Sequence, residues 1–384
     1  MASKSIKKVA RLSRRKADGR RQVTGHVWEA RYRDPNGRQH KKRFARKVDG
    51  ERWLDQATAG MVTGTYVDPQ AGKVTFREYA EDWRSIRVHR PSTAAHYETM
   101  LRLHAYPTLG DLRLADVTPF DIQAWVKDLT ARLQPSTVAV IHGIVSSCFK
   151  SAMRDRRLAS NPCDGTQLPE IVKKKVVPLT VEQVVALHTC IDPKFKALVH
   201  LCAATGMRQG EAFGLTADRI DFLRGVITVD RQAVYLANQP MTFGPPKRAA
   251  SCREIPVPRD VIQVLNNHIA AHGLGHHGLV FHADDGGFVR RSTFSAKIWA
   301  PARRAAGLPN DVGLHALRHF YASLLIRHGE SVKTVQARLG HASAAETLDT
   351  YSHLWPDSDE RTRKAVSQLP LGDVDLGLGA SQGA

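Results

Sequence analysis

The chain has 384 residues, of which 42% are hydrophobic and 24% are charged, so it is long enough to bury the cores of two or three globular domains. Its formal net charge of +19 indicates a polyanionic partner, with nucleic acid as the simplest and an anionic membrane surface as the rival. The sequence contains no apolar run near the ~18 residues of a membrane-spanning helix and no export signal, which favours a cytoplasmic protein. Five scattered cysteines without C-x-x-C spacing argue against a disulfide framework and a zinc knuckle.

The positive charge is concentrated at the N-terminus. Residues 1–50 contain 17 Lys or Arg and four acidic residues, which gives a net charge of +13. We predict that residues 1–24 form a basic, disordered arm, because a segment of this polarity cannot bury a core of its own.

Residues 25–66 show the pattern of a small sheet backed by a helix. Apolar and charged residues alternate from His26 to Tyr32, the turn sequence DPNG follows, and a second run ends at Phe44, which together predict a hairpin. Apolar residues at helical spacing over 53–61 predict the backing helix. Such a sheet would carry basic residues on one face.

Residues 74–165 are predicted to be entirely helical. Two of the helices begin with the same Pro-Ser-Thr sequence, at Pro91 and at Pro135, and another begins near Thr118. We find no cluster of reactive side chains in this sequence region. Its Lys and Arg residues are either solvated helix faces or a DNA-gripping surface.

Residues 178–368 mix helices with a β-hairpin, and the Gly-rich tail at 369–384 is predicted to be disordered. The expected fold is therefore multidomain. It combines a small N-terminal β-sheet plus helix domain, an all-α domain, and a mainly α (α+β) domain with a β-hairpin.

Two basic residues of the last domain occupy positions suited to binding an anion. The glycine-punctuated turn TGMRQGE places Arg208 at the entrance of a helix. Lys247 lies in the turn sequence GPPKRAAS, at the tip of the predicted hairpin, where a mobile ammonium could reach a bound partner. Its neighbour Arg248 is the alternative residue for that position, and an ordinary surface arginine and turn lysine are the competing interpretations.

The sequence HALRHF places His315, Arg318 and His319 on one face of a helix by their i, i+3, i+4 spacing. Two histidines four residues apart suit a metal ion, but no third ligand accompanies them, so a metal site is the weaker interpretation. The same caution applies to four further histidines: His268, His272, His276 and His277.

The stretch LGHASAAETLDTYSHLW predicts a helix end, an intervening His341 and a new helix. Gly340 ends the first helix, and Ser343 with Glu346 forms the S-x-x-E pattern of a capping box at the start of the second, which carries Tyr351. A tyrosine on an amphipathic helix is usually a core residue, so this stretch alone does not indicate a catalytic role for Tyr351. Such a role needs support from the motifs described above.

Two arginines, a lysine, two histidines and a tyrosine, without a carboxylate pair to hold magnesium, suit metal-free attack on a phosphodiester. The positive groups would stabilise the pentacoordinate phosphorane in place of a metal. The motifs T-G-x-R-x-G-E, a hairpin lysine, H-x-L-R-H, L-G-H, and a tyrosine followed by S-H occur in this order between Thr205 and His353. In this combination they resemble the tyrosine recombinase family of phage and mobile-element integrases.

The resemblance implies a role for each matching residue. Tyr351 would be the nucleophile that forms a 3′-phosphotyrosyl link. Arg208 and Arg318 would clamp the nonbridging phosphate oxygens, and His341 would hydrogen-bond the scissile phosphate.

The remaining residues would transfer protons or support the others. Lys247 would protonate the leaving 5′ oxygen, and His315 would assist proton transfer at the tyrosine. Glu211, at the family's acidic position, would brace an arginine, and His319 would be a structural partner on the same helix as His315. The resemblance implies no metal, cofactor or ATP, since the covalent link conserves the bond energy.

The resemblance also implies an architecture and partners. The helical domain at 74–165, as core-binding domain, and the catalytic domain at 178–368 would clamp double-stranded DNA from opposite sides, while the sheet domain at 25–66 would bind secondary, arm-type sites. A homotetramer would assemble on two attachment sites, in the cytoplasm of a bacterial host and at its nucleoid. DNA-bending and directionality factors are further candidate partners, and no membrane is expected.

The favoured function is a site-specific integrase that cuts, exchanges and religates DNA strands to integrate a phage or mobile element. Two alternatives stay open: a type IB topoisomerase-like enzyme that relaxes DNA with the same chemistry, and a catalytically inactive DNA-binding regulator. The presence of Tyr351 and of both arginines disfavours the regulator.

Overall fold

A computed structural model describes residues 4–12, 23–35, 37–63, 66, 68, 71–172, 175–235, 239–246, 248–355, 363 and 367. The chain divides into two compact units, Met1–Val172 and Lys173–Ala384. The division falls within the linker that the sequence indicates between 165 and 178. The tail at 369–384, predicted to be disordered, lies outside the described residues.

The first unit begins with a three-stranded antiparallel sheet in the order β1-β2-β3. Its strands are β1 (Lys4–Leu12), β2 (Val23–Arg33) and β3 (Gln39–Phe44). The prediction of a disordered arm over residues 1–24 was wrong for β1, whereas 1–3 and 13–22 lie outside the described residues. β1 is stabilised by pairing along β2, a nonlocal contact that overrides its polar composition.

Helix α1 (Lys47–Val62) covers one face of this sheet. The packed residues between the two layers are Ala30, Tyr32, Leu54, Ile6, Phe44, Trp53, Ala57, Met61 and Tyr66. A Cβ atom on Gly50 would lie 2.6 Å from Cδ1 of Ile6, so a larger residue there would force the end of the Ile6 side chain to move. The predicted hairpin and its backing helix are confirmed.

The rest of the first unit is built of helices. They are α2 (Phe76–Ile86), α3 (Pro91–Met100), α4 (Tyr106–Leu109), α5 (Pro119–Thr130) and α6 (Pro135–Arg154). Pro91 and Pro135 occupy the first helical positions as predicted, where the missing N–H breaks no helical hydrogen bond. Thr118 caps α5 in a box with Asp121. The helical prediction for this region is confirmed.

The second unit combines helices with short strands. The helices are α7 (Val181–Cys190), α8 (Lys196–Thr205), α9 (Gln209–Phe213), α10 (Arg259–His272), α11 (Arg291–Thr293), α12 (Ala300–Ala305), α13 (His315–Arg327), α14 (Val332–Leu339) and α15 (Ala344–Tyr351). The strands are β4 (Ile220–Asp221), β5 (Val226–Val229), β6 (Gln232–Val234), β7 (Thr242–Gly244) and β8 (Arg253–Pro256). β4, β5 and β8 form one antiparallel sheet, and β6 and β7 form a separate hairpin.

The main core of the second unit lies around α8 and α13, where Leu198, Leu201 and Leu317 are fully buried. A smaller apolar cluster beside it contains Leu339 from α14 and Tyr351 from α15. Apolar packing therefore fixes the helices that carry the predicted site. In the described parts of the two units, no helix is long and apolar enough to cross a membrane.

Candidate active site

Arg208 lies where α8 ends and α9 begins. Gly206 terminates α8 with φ +62°, and a Cβ atom there would lie 2.6 Å from Cδ1 of Tyr321, so this turn requires glycine. The Glu211 carboxylate accepts from the Arg208 backbone N–H at 2.9 Å and from Nη1 at 3.0 Å. The local fold thus holds the Arg208 guanidinium at the start of α9.

Glu211 also pairs with Arg253, a residue that the sequence reasoning missed. Arg253 Nη2 donates to Glu211 Oε2 at 2.9 Å, and its Nε donates to the carbonyl oxygen of Arg338 at 2.8 Å. Burial alone would raise the pKa of Glu211, but the positive charges of Arg253 and Arg208 lower it, so the carboxylate is ionised. The strand alternation of CREIPVP, which places Arg253 on the same face as the buried Ile255, was the available signal.

Arg318 is buried and fastened to the backbone. Its Nη1 donates to the carbonyl oxygen of Gly206 at 2.8 Å, and its Nη2 donates to that of Leu339 at 2.6 Å. Arg208 Nη2 donates to the next carbonyl oxygen, of Gly340, at 3.3 Å. Burial, followed by the positive charges of Arg208 and Arg253, lowers the pKa of Arg318 to about 9. The two predicted arginines therefore meet at the end of α14.

Tyr351 is buried, and its phenol contacts His319. The distance from Tyr351 Oη to His319 Nδ1 is 2.8 Å. Burial raises the pKa of Tyr351 to about 12, while burial and the charge of Arg318 lower the pKa of His319. Both groups are therefore neutral, and the phenol donates to Nδ1 in the imidazole tautomer that carries its proton on Nε2.

His315 is the first residue of α13, and its ring centroid lies 4.8 Å from that of His319. Desolvation and the charges of His319 and Arg318 lower its pKa to about 4. Among the described residues, no hydrogen bond joins His315 to Tyr351. The structure thus places His319, and not His315, against the predicted nucleophile.

His341 follows the left-handed Gly340 and lies beside α15. Its Nδ1 is 2.9 Å from Oγ1 of Thr347, a fully buried residue four positions before Tyr351 on α15. The His341 ring is nearly parallel to that of Tyr351, with centroids 6.5 Å apart. Burial, and then the charge of Arg318, lowers the pKa of His341 to about 4.

The predicted capping box of α15 is confirmed for one of its two bonds. Ser343 Oγ accepts from the Glu346 backbone N–H at 3.3 Å. The Glu346 carboxylate instead accepts from Arg248 Nη1 at 3.3 Å. Long-range pairing with a basic loop therefore competes with the local cap.

Lys247 lies outside the described residues, so its role stays a prediction. The strands predicted to flank it pair as β5 with β8, and Lys247 lies between them in the chain, after the inserted β6–β7 hairpin. Of the other histidines considered for a metal, His268 is buried and its Nε2 donates to the carbonyl oxygen of Val280 at 3.0 Å, as a core histidine does.

The charges of these groups do not balance. The Glu211 carboxylate hydrogen-bonds Arg208 and Arg253, and Arg318 adds a third positive charge nearby. A second carboxylate, that of Glu346, lies 4.0 Å from Nε2 of His341 and pairs with Arg248. Low pKa values hold His315 and His341 neutral. Like charges held together in a poorly solvated place are costly unless an anion joins them. The arrangement is that of an anion site next to a phenol.

Comparison with known proteins identifies the family. Residues 178–357 match the phage integrase family, and residues 75–167 match the phage integrase central domain. The prophage phiRv2 integrase of Mycobacterium tuberculosis is 30% identical over 369 residues, covering 93% of this chain and 96% of that protein. An XerC-like tyrosine recombinase of Caldanaerobacter subterraneus is 26% identical, covering 88% of this chain and 94% of that protein.

Solved structures share the fold. The Tn1549 transposon integrase in complex with a circular intermediate DNA has a TM-score of 0.67 at 21% identity, covering 77% of this chain and 99% of that one. A lambda integrase tetramer bound to a Holliday junction has a TM-score of 0.57 at 18% identity, covering 83% of this chain and 91% of that one. The chain therefore belongs to the phage integrase family, the tyrosine recombinases that break and rejoin DNA at specific sites.

Proposed function

We propose that this protein integrates a phage or mobile element by attack of Tyr351 on a phosphodiester at an attachment site. The Tyr351 oxygen forms a bond to phosphorus, the bond from phosphorus to the 5′ oxygen breaks, and a 3′-phosphotyrosyl link results. The reverse reaction with another 5′ hydroxyl reseals an exchanged strand. The bond energy is conserved, so no ATP enters the reaction.

The observation that carries this proposal is the excess of positive charge beside a buried phenol. Arg208 and Arg253 both hydrogen-bond the Glu211 carboxylate, and the low pKa of Arg318 reflects its burial and the repulsion of these two arginines. A phosphate with its nonbridging oxygens toward Arg208 and Arg318 relieves that repulsion. As negative charge grows on those oxygens in the transition state, the same groups stabilise it further.

His341 and Lys247 complete the phosphate site in this proposal. The Nδ1 of His341 is occupied by Thr347, so its Nε2, which lies 4.0 Å from Oε1 of Glu346, is the atom to bind the phosphate. Lys247 gives a proton to the leaving 5′ oxygen, the role that the family resemblance implies for it.

The proton of the nucleophile goes to His319 in this proposal. Its Nδ1 lies 2.8 Å from Tyr351 Oη, and a neutral imidazole with its own proton on Nε2 can take the phenol proton at Nδ1 when the phenol oxygen attacks. His315, whose ring centroid lies 4.8 Å from that of His319, contacts the phosphate in this proposal. Its expected direct role at the tyrosine passes to His319.

The first unit supplies additional DNA contacts in this proposal. The helical region holds the core site and the basic sheet holds arm-type sites, which accounts for the net charge of +13 on residues 1–50. A homotetramer on two attachment sites acts at the nucleoid in the cytoplasm of a bacterial host, and the lambda integrase tetramer bound to a Holliday junction supports this assembly. DNA-bending and directionality factors would control when it acts.

A trapping assay tests the chemistry. The wild-type chain and Tyr351→Phe are incubated in EDTA with nicked duplexes taken from the junctions of the element that encodes the protein. We expect an EDTA-resistant covalent DNA adduct with the wild-type chain, mapped to Tyr351 by peptide analysis, and none with Tyr351→Phe, which removes only one hydroxyl. The variant should still bind the duplex.

The assay also separates the alternatives. Tight binding without an adduct at any junction would support the inactive regulator and overturn the roles given to the arginines. An adduct that forms with equal efficiency on unrelated sequences, together with relaxation of supercoiled plasmid, would support the topoisomerase-like function instead.

A further inference from the structure

The open face of the N-terminal sheet, turned away from α1, carries a dense group of charged side chains. Side chains alternate along each strand, and Ala30 and Tyr32 pack against α1, so Glu29, Arg31 and Arg33 of β2 point to the other side. The strand register places further residues on that face next to them: Ser5 and Lys7 of β1, and Gln39, Lys41 and Arg43 of β3. We call this set the open face.

Glu29 is nearly inaccessible although it faces away from the apolar core. Its carboxylate accepts from Nε and Nη2 of Arg31 and, at 2.9 Å, from Nε of Arg43. The two arginine side chains are 45% and 64% exposed, whereas that of Glu29 is 6% exposed. The arginines themselves therefore cover the carboxylate, and it holds both guanidiniums in fixed orientations.

An arginine held in this way is suited to reading a base. Arg43 uses Nε to bind Glu29, which leaves its two terminal nitrogens on the outer edge of a planar group whose rotation is restricted. Guanine presents O6 and N7 side by side in the major groove, and a bidentate arginine is the commonest specific contact to this pair. Fixing the guanidinium beforehand reduces the entropy lost on binding.

We propose that the open face binds duplex DNA with Arg43 and Arg31 as guanine-reading residues, oriented by Glu29, and with Lys7, Arg33 and Lys41 on phosphates. This inference rests on the proposed binding of arm-type sites by the sheet and adds which residues determine sequence preference. The single carboxylate among five cations would otherwise weaken an electrostatic DNA contact, so its presence calls for a role such as orientation.

The test is a selection from a library of duplexes with a randomised segment, using the full-length chain and four variants. Arg43→Lys keeps the positive charge and removes the planar guanidinium. Glu29→Gln keeps the size of the side chain and removes the negative charge that binds both arginines. Lys41→Ala and Lys42→Ala form a matched control pair, since adjacent residues of β3 lie on opposite faces and Lys42 Nζ lies 5.5 Å from the Phe44 ring centroid on the α1 side. Thermal unfolding verifies that every variant is folded.

We expect the wild-type chain to enrich a guanine-containing motif that Arg43→Lys loses, with roughly 10- to 100-fold less discrimination at one position. Motifs read by the rest of the chain serve as the internal control and should persist. Glu29→Gln should bind random DNA more tightly, because a negative charge is removed, and yet discriminate less, a combination that a merely structural glutamate would not produce. Lys41→Ala should lower affinity for all sequences and reduce the salt slope by about one, with Lys42→Ala changing little.

The outcomes separate this inference from the proposal beneath it. If Arg43→Lys keeps the full guanine preference while Lys41→Ala weakens binding, the sheet binds DNA but these arginines do not read bases. If Lys41→Ala and Lys42→Ala have equal and negligible effects on affinity and salt slope, the proposed DNA contact of the sheet itself is wrong.

Discussion

Two glutamates in this chain each hold a pair of arginines, in surroundings that differ. Glu29 lies on the solvent side of the sheet, and its arginines are 45% and 64% exposed. Glu211 lies inside the second unit, and its arginines are 31% and 5% exposed. Each glutamate with its two arginines forms what we call a trio. In the Glu29 trio both guanidiniums face solvent. In the Glu211 trio Arg253 is buried and only Arg208 reaches the surface.

The difference in burial gives the arginines of the two trios different roles. Arg253 donates to the carbonyl oxygen of Arg338 as well as to Glu211, so this pair connects β8 to the end of α14. Arg208 is left at the edge, where a phosphate can meet it. In the sheet, by contrast, neither arginine is committed to the core, and both are available to a partner.

The largest expected effect concerns the nucleophile, for which the open face of the sheet has no counterpart. His319→Leu removes the group that accepts from Tyr351, and we expect the rate of covalent adduct formation to fall by roughly 10²- to 10⁴-fold, the usual contribution of a proton acceptor. Single-turnover trapping on a nicked duplex measures this rate.

A second variant distinguishes proton transfer from positioning. His319→Asn retains an acceptor near the position of Nδ1 but cannot take up a proton at neutral pH, so we expect it to be nearly as slow as the Leu variant. Recovery of the wild-type rate in His319→Asn would show that His319 only positions the phenol. A rate that drops in His315→Asn but not in His319→Leu would return the proton to His315.

The next largest effect is on stability, and it tests whether the Glu211 trio stabilises the fold. Arg253→Met leaves Glu211 buried with one arginine instead of two, and we expect the free energy of unfolding to fall by about 3–5 kcal/mol. Urea unfolding followed by tryptophan fluorescence measures it. The double variant Arg253→Met with Glu211→Leu should recover much of the loss, because the unpaired charge is then gone. A single variant as stable as the wild type would mean that water reaches Glu211.

The sequence predicted the elements with local signals and missed a strand that depends on a distant partner. Periodicity and turn residues locate the β2–β3 hairpin, α1 and the Pro-initiated helices, since those signals are local. β1 was missed because a polar strand is stabilised by a partner far along the chain, which composition does not reveal.

The site divides in the same way. Motifs of the family include Arg208, Arg318 and Tyr351, and the fold brings these residues together. The partners that set their chemistry were not apparent, because the Arg253–Glu211 pair and the His319–Tyr351 contact span 42 and 32 residues of sequence. Such contacts depend on how α13, α15 and β8 pack against each other, and no local sequence pattern predicts that packing.

A smaller effect follows from the neutral histidines of the second unit. The pKa of His341 is lowered from 6.5 to about 4 in the folded chain, by burial and then by Arg318. Below pH 6.5 the unfolded chain takes up a proton there that the folded chain refuses, so the free energy of unfolding should fall between pH 6.5 and 4, by at most about 3 kcal/mol from this residue. Urea unfolding at several pH values should show a shallower fall in His341→Gln. An equal slope in both proteins would place the titration elsewhere.

The smallest expected effect is the stability change from Glu29→Gln, and it tests the comparison directly. The charges of Arg31 and Arg43 are mostly exposed, and water solvates them whether or not the carboxylate is ionised. Exposed ion pairs contribute little to folding and are screened by salt. The unfolding midpoint of Glu29→Gln should therefore match that of the wild type at physiological and at high salt, while its DNA discrimination falls. A clear loss of stability that persists at high salt would make Glu29 a structural residue like Glu211, and the two trios would then differ only in where they lie.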